Sequence, residues 1–115
     1  MEIVFEERDG ACDCALSGEL DMYESPAFQE RCETRLRSSK GGAFLVDLSG
    51  LTFADSSGLG ALFRVFCLAR ELSVGFCLYG ARGMVSSLLR LSRMSSILPL
   101  EADYGLARER AGGMK

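Results

Sequence analysis

Asp47-Leu48-Ser49-Gly50-Leu51-Thr52-Phe53-Ala54-Asp55-Ser56-Ser57-Gly58-Leu59-Gly60 is the stretch on which the reading of this chain turns. Phe44, Leu45 and Val46 lead into it as an apolar, strand-forming run, and beyond it apolar residues recur at helical spacing. The pattern predicts a strand, a turn at Ser49-Gly50 and then the start of a helix. Asp or Ser ahead of a helix accepts hydrogen bonds from the unpaired N–H groups of the first turn, so Asp55 or Ser56 is the N-cap. The cap shows a hydroxyl to solvent at the positive end of the helix. A phosphoryl group added there is favoured locally by the helix dipole and brings about −1.5 to −2 charge onto the surrounding surface.

Toward the N-terminus, Asp9-Gly10 supplies the positive φ angles of a two-residue hairpin turn between strands at 3–8 and 11–16. In the second strand Cys12, Cys14 and Leu16 share one face, with Ala11, Asp13 and Ala15 on the other. A metal-binding reading of Cys12-Asp13-Cys14 lacks further ligands nearby, and core packing is the simpler account. Ser25-Pro26 reads as an N-cap followed by proline at the first helical position. Phe28, Cys32 and Leu36 then stripe a helix that Lys40-Gly41-Gly42 ends. Residues 43–48 form a nearly all-apolar strand, covered over much of its surface.

Toward the C-terminus, Leu59, Leu62, Phe63 and Phe66 make an inward helical face to about residue 71, with Arg64 and Arg70 outward. Gly58 and Gly60 are unusual in a first turn, because glycine costs about 1 kcal/mol relative to alanine in a helix. Either the helix packs closely on the sheet, or a partner backbone approaches that turn. Val74 to Tyr79 is the next strand, and Met84, Val85, Leu88 and Leu91 stripe a third helix. Ile97, Leu98 and Leu100 suggest a short strand that Pro99 marks as an edge. A last helix runs from Glu101 to about Arg110, followed by a frayed tail. Strands alternating with helices imply right-handed crossovers and a largely parallel sheet opened by an antiparallel hairpin.

A chain of 115 residues, 48% apolar, fits one compact domain. Its 13 basic residues are scattered among 16 acidic ones, which argues against nucleic acid or an anionic membrane as the main partner. The apolar runs are short and the opening is charged, so a soluble, cytoplasmic protein without membrane insertion is expected. Five cysteines, an odd number, lie within segments read as strands or helices, as small core residues in a reducing compartment. There is no histidine. That removes Ser-His-Asp and Cys-His catalysis and every histidine-containing zinc site. Neither Gly58-Leu59-Gly60 nor Gly80-Ala81-Arg82-Gly83 is a dinucleotide fingerprint or a phosphate-binding loop, so no catalytic residue, metal or cofactor is assigned. Asp13, Asp21, Asp47 and Asp55 are too dispersed for a carboxylate metal site to be argued, although Asp21 and Asp55 both follow strands.

These residues carry a resemblance. Gly18-Glu19-Leu20-Asp21, the strand ending Val46-Asp47-Leu48-Ser49, and above all Phe53-Ala54-Asp55-Ser56-Ser57-Gly58-Leu59-Gly60 resemble the STAS-domain anti-anti-sigma factors, the anti-sigma factor antagonists of bacterial partner switching. The segment from Leu91 to Leu100 falls where that family has its last short strand. The resemblance implies a single α/β STAS-like domain over residues 1–110, with a mixed, mostly parallel sheet, about four helices, and a flexible tail at 111–115. It implies a non-enzymatic protein that binds an anti-sigma factor serine kinase of the histidine-kinase-like ATPase fold, and so frees a sigma factor. On that resemblance the serine after the motif aspartate, Ser56 here, would be the phosphorylation site, and a phosphatase would restore it. Asp21, Asp55, Ser56, Ser57, Gly58 and Gly60 would then lie in or beside the kinase-facing surface. The cysteine-rich strands and the glycine-rich, basic C-terminus depart from the motif. The alternative is a STAS subunit that is never phosphorylated, a structural or regulatory part of a lipid-transport complex or sensory scaffold.

Overall fold

Asp9 (φ 51°) and Gly10 (φ 77°) both adopt left-handed conformations, as a two-residue hairpin turn requires. In the computed structural model, which describes residues 1–39 and 42–114, this turn joins β1 (Glu2–Arg8) to β2 (Ala11–Leu20) with Arg8 opposite Ala11. The chain continues through α1 (Ser25–Arg37), β3 (Ala43–Ala54), α2 (Ser56–Glu71), β4 (Gly75–Tyr79) and α3 (Gly83–Leu91). A 3-10 turn (Met94–Ser96), β5 (Leu100–Glu101) and α4 (Tyr104–Gly112) complete it. Among the described residues the strands lie in the order β1-β2-β3-β4-β5, the first pair antiparallel and the rest parallel. This is the mixed α/β domain expected from the sequence.

Strands added always in one direction through right-handed crossovers put the connecting helices on one face of a sheet. Accordingly Cys12, Cys14, Leu16, Phe44, Val46, Leu48, Phe76 and Leu78 pack beneath Phe28, Cys32 and Leu36 of α1, Leu59, Leu62, Val65 and Phe66 of α2, and Val85 and Leu89 of α3. Phe44 and Phe76 stack with ring planes 4° apart and centroids 6.2 Å apart. The opposite face holds Ala11, Ala43, Leu45, Cys77 and Tyr79, which α4 covers with Ala107 and Ala111. Its small residues allow contact so close that a Cβ at Gly75 would run into the Ala111 carbonyl.

Several expectations shift. Ser49-Gly50 is not a turn, because β3 continues to Ala54 and stays paired with Ser17–Leu20 of β2. Register shifts between Ala15 and Ser17 and between Gly18 and Glu19 absorb the irregularity. A Cβ at Gly50 would lie 2.8 Å from the Leu16 carbonyl oxygen, so glycine there admits a close strand rather than a reversal. Ser25 is the first residue of α1 and not its N-cap, since the chain is already helical at Glu24 (φ −89°, ψ −24°). α1 closes at Arg37, and Lys40 and Gly41 lie outside the described residues.

Phe63, expected inward, is 37% exposed, and Met84 and Leu91 are exposed while Leu89 fills the core. Ile97 also points out, the last strand reducing to Leu100–Glu101. Of the cysteines, 12, 14, 32 and 77 are buried, but Cys67 is exposed. α4 starts at Tyr104 behind an Asp103 cap and runs on to Gly112 with Ala111 buried, so packing continues past Arg110.

Candidate functional site

The extended pairing of β2 with β3 brings Leu20 opposite Ala54, and hence Asp21 and Asp55 to the same end of the sheet. Asp55 has an extended backbone (φ −115°, ψ −173°) and is the N-cap of α2. Its Oδ1 accepts from the Gly58 N–H at 3.0 Å, and its Oδ2 accepts from the Met22 N–H at 3.0 Å. One carboxylate therefore caps a helix and holds the neighbouring loop. Asp21 organises that loop: Oδ1 accepts from the Tyr23 and Glu24 N–H groups, each at 3.0 Å, and its carbonyl accepts from the Ser25 hydroxyl at 2.6 Å. Asp21 thus holds the turn that leads into α1, and the helix begins ahead of the expected Ser25 cap.

Ser56 opens α2 and is exposed, whereas Ser57 is half-buried and Gly58 buried. The two glycines separate physically. A Cβ at Gly58 would run into the Leu20 carbonyl oxygen, so Gly58 is the price of helix on strand. At Gly60 the nearest group is the guanidinium of Arg64, 3.3 Å from a built Cβ, with no backbone in the way. Fold packing accounts for Gly58 and leaves Gly60 open.

Apolar surface surrounds the serine, and sequence reasoning missed it. Met22 and Tyr23, beside the Asp55 clip, are 61% and 84% exposed. On the other side Leu59, Phe63, Met94 and Ile97, with Ser56, Gly60 and Ser92, line an open concavity of about 400 Å³. Ser56, Gly60, Phe63 and Cys67 fall four, seven and eleven residues along one stripe of α2, so helical period carried the signal. The inward assignment of Phe63 hid it.

The remaining aspartates gather elsewhere. Asp13, only 6% exposed, accepts from the Tyr79 hydroxyl at both carboxylate oxygens (2.9 Å each) and from Arg8 Nη1 at 3.2 Å. The Arg8 guanidinium lies 3.8 Å over the Tyr104 ring, and the Tyr104 hydroxyl donates to Asp9 Oδ2 at 2.9 Å. Burial pushes the Asp13 carboxyl above its ordinary range, against the pull of Tyr79 and Arg8. This cluster lies on the α4 side of the sheet and ties α4 to the hairpin. No group of three metal-ligating side chains occurs among the described residues, and no helix there is long and apolar enough to cross a membrane.

The mixed five-stranded sheet, the Asp-capped helix and the exposed serine at its first turn define a small α/β domain with one polar end. The STAS domain model matches residues 2–107, and the chain belongs to that family. It is 26% identical over 106 residues to an anti-sigma-B factor antagonist of Listeria monocytogenes, spanning 91% of this chain and 92% of that one. A crystal structure of an anti-sigma factor antagonist from Mycobacterium paratuberculosis superposes with a TM-score of 0.81 at 25% identity, covering 92% and 89% of the two chains. The Bacillus cell fate determinant SpoIIAA in its phosphorylated form has the same fold, with a TM-score of 0.69 at 17% identity over 95% and 98%.

Proposed function

We propose that this chain is an anti-sigma factor antagonist of the cytoplasm, which binds an anti-sigma factor serine kinase of the histidine-kinase-like ATPase fold and is inactivated by phosphorylation at Ser56. The observation that carries the reading is the exposed Ser56 hydroxyl at the first turn of α2, with the Asp55 carboxylate on the helix cap and an apolar concavity alongside. It is supported by the family membership and by relatives that are themselves anti-sigma factor antagonists.

In the unmodified protein the partner meets Asp21, Asp55, Ser56, Ser57 and the α2 turn of Gly58 and Gly60. Gly60, bare of a side chain, permits close approach, and Phe63, Met94 and Ile97 offer area to bury. Displacing water from that apolar surface supplies the affinity. A phosphoryl group adds about −1.5 to −2 charge beside the Asp55 carboxylate, and a docked partner would have to desolvate it. Binding is lost while the fold persists, because Asp55, not Ser56, carries the cap. The protein contributes a hydroxyl and a surface, and the kinase contributes the chemistry; a phosphatase returns the hydroxyl.

The test is incubation with a cognate-type anti-sigma factor kinase and ATP, followed by peptide mass spectrometry and partner titration. One phosphate on Ser56, absent from Ser56→Ala, supports the reading. Stable binding with no transfer to any serine would favour a purely structural subunit.

A further inference from the structure

Arg64 is exposed on α2, two turns beyond Ser56, yet its side chain is held. Nε donates a 2.7 Å hydrogen bond to Gln29 Oε1 of α1, and Gln29 Nε2 donates to Glu33 Oε2 at 3.1 Å. The Gln29 bond leaves the two terminal nitrogens for other partners. They turn back along α2, so that a Cβ built at Gly60 would stand 3.3 Å from Nη1 and 3.6 Å from Nη2. Long helical side chains lean toward the N-terminus, which is why Arg64 covers the turn that holds Gly60. Ser56 is one turn further on. Residues four apart on a helix have Cβ atoms about 5–6 Å from one another, and glycine puts no side chain into that gap.

Resting on the reading of Ser56 as a phosphorylation site, we propose that the terminal nitrogens of Arg64 receive the phosphoryl oxygens of phosphorylated Ser56. Asp55 on the cap and Asp21 in the adjoining loop are carboxylates that repel a phosphate, while Arg93, between Ser92 and Met94 of the concavity, is unchanged in every variant below. A guanidinium offers paired N–H donors that match two phosphate oxygens. A lysine at this position would offer a point charge and no such fork.

Phosphoserine inserted at position 56 of the full chain during translation makes the test independent of any kinase. The readout is the second ionisation of that phosphate, followed by phosphorus NMR at low salt, in the otherwise wild-type chain, in Arg64→Gln and in Arg70→Gln. Arg70 lies in the last turn of α2, 5.6 Å over the Phe66 ring, and is the control. Asp55 acts equally in all three. Removing Arg64 is expected to raise the phosphate pKa by about 0.3–0.7 of a unit, an effect that shrinks with added salt, while Arg70→Gln matches wild type. The Arg64 Nε–H resonance should also move on phosphorylation. Identical titrations for wild type and Arg64→Gln, or an unmoved Arg64 resonance, would overturn the proposal. Absence of Ser56 phosphorylation by a kinase would count against the functional reading and leave these titrations unaffected.

Discussion

The Asp55 carboxylate accepts a 3.0 Å hydrogen bond from the Met22 backbone N–H, joining loops 33 residues apart in sequence. The same side chain caps α2 through Gly58. Asp55→Ala removes both bonds and should cost about 1–2 kcal/mol in urea denaturation. Asp55→Asn keeps one carbonyl acceptor and should recover about half. Equal losses for the two variants would mean that the bond the asparagine carbonyl retains contributes nothing.

Ser56 and Ser57 differ in exposure, and their variants should differ in kind. Ser56→Ala should fold, bind the partner and take no phosphate. Ser56→Asp should fold and bind more weakly by about 1–3 kcal/mol, a typical coupling between sites. Ser57→Ala should still be phosphorylated at Ser56. Titration of each with the partner, beside a kinase assay, separates these outcomes, and phosphate on Ser57 would contradict the assignment.

The two glycines of α2 make opposite predictions. Gly58→Ala forces a methyl group against the Leu20 carbonyl and should destabilise by about 1–3 kcal/mol. Gly60→Ala meets only the end of a flexible arginine and should be neutral or stabilise by up to about 1 kcal/mol. Thermal melts decide it. Weakened partner binding by a fully stable Gly60→Ala would mark the close approach of a partner backbone.

Phe63→Ser and Ile97→Ser remove exposed apolar surface from the concavity beside Ser56. Each native residue keeps a substantial exposed fraction, 37% for Phe63 and 52% for Ile97, so each substitution should cost less stability than the same change in the core. Partner affinity should fall tenfold or so, about 1.4 kcal/mol. Unchanged affinity in the double variant would exclude this surface from the interface.

Asp13 carries a pH signature. Burial, the largest influence, raises its carboxyl pKa in the folded state, with Asp47 adding to the rise and Tyr79 and Arg8 opposing it. A raised carboxyl contributes stability that is fully present below its unfolded pKa, about 3.9, and lost as pH rises through the folded value. Relative to Asp13→Asn, the wild type should therefore gain stability as pH falls from 7 toward 4. A difference that shrinks over this range would show that the Arg8 and Tyr79 bonds outweigh burial.

Local signals in the sequence gave most of the architecture. Asp9-Gly10 dictated the hairpin, two-residue alternation sorted Cys12, Cys14 and Leu16 from Ala11 and Asp13, and the N-cap was narrowed to Asp55 or Ser56, of which the fold selects Asp55. What failed was nonlocal. Ser49-Gly50 reads as a turn until the Leu16 carbonyl is brought against it, and Ser25-Pro26 reads as a cap until Asp21 binds the Tyr23 and Glu24 N–H groups and the chain turns helical ahead of Ser25. Phe63 sits on a helical stripe wider than the arc that the sheet covers, so periodicity could not tell core from rim. The site shows the same division: Ser56 and its cap were legible, while Met22, Met94 and Ile97 needed the fold to bring them near.

Strand order that equals chain order bears on how the molecule is made. Each strand docks beside the one synthesised just before it, and none has to wedge between two that are already paired. The sheet is thus able to grow edge by edge as the chain leaves the ribosome, with no more than one helical crossover to close at each step. Only the last helix waits. Arg108 donates to the Asp9 carbonyl at 2.8 Å, and Tyr104 reaches the Asp9 carboxylate, contacts that span 99 and 95 residues. Until those bonds form, Leu45, Cys77 and Tyr79 lie uncovered, and α4 acts as the latch on an otherwise finished sheet.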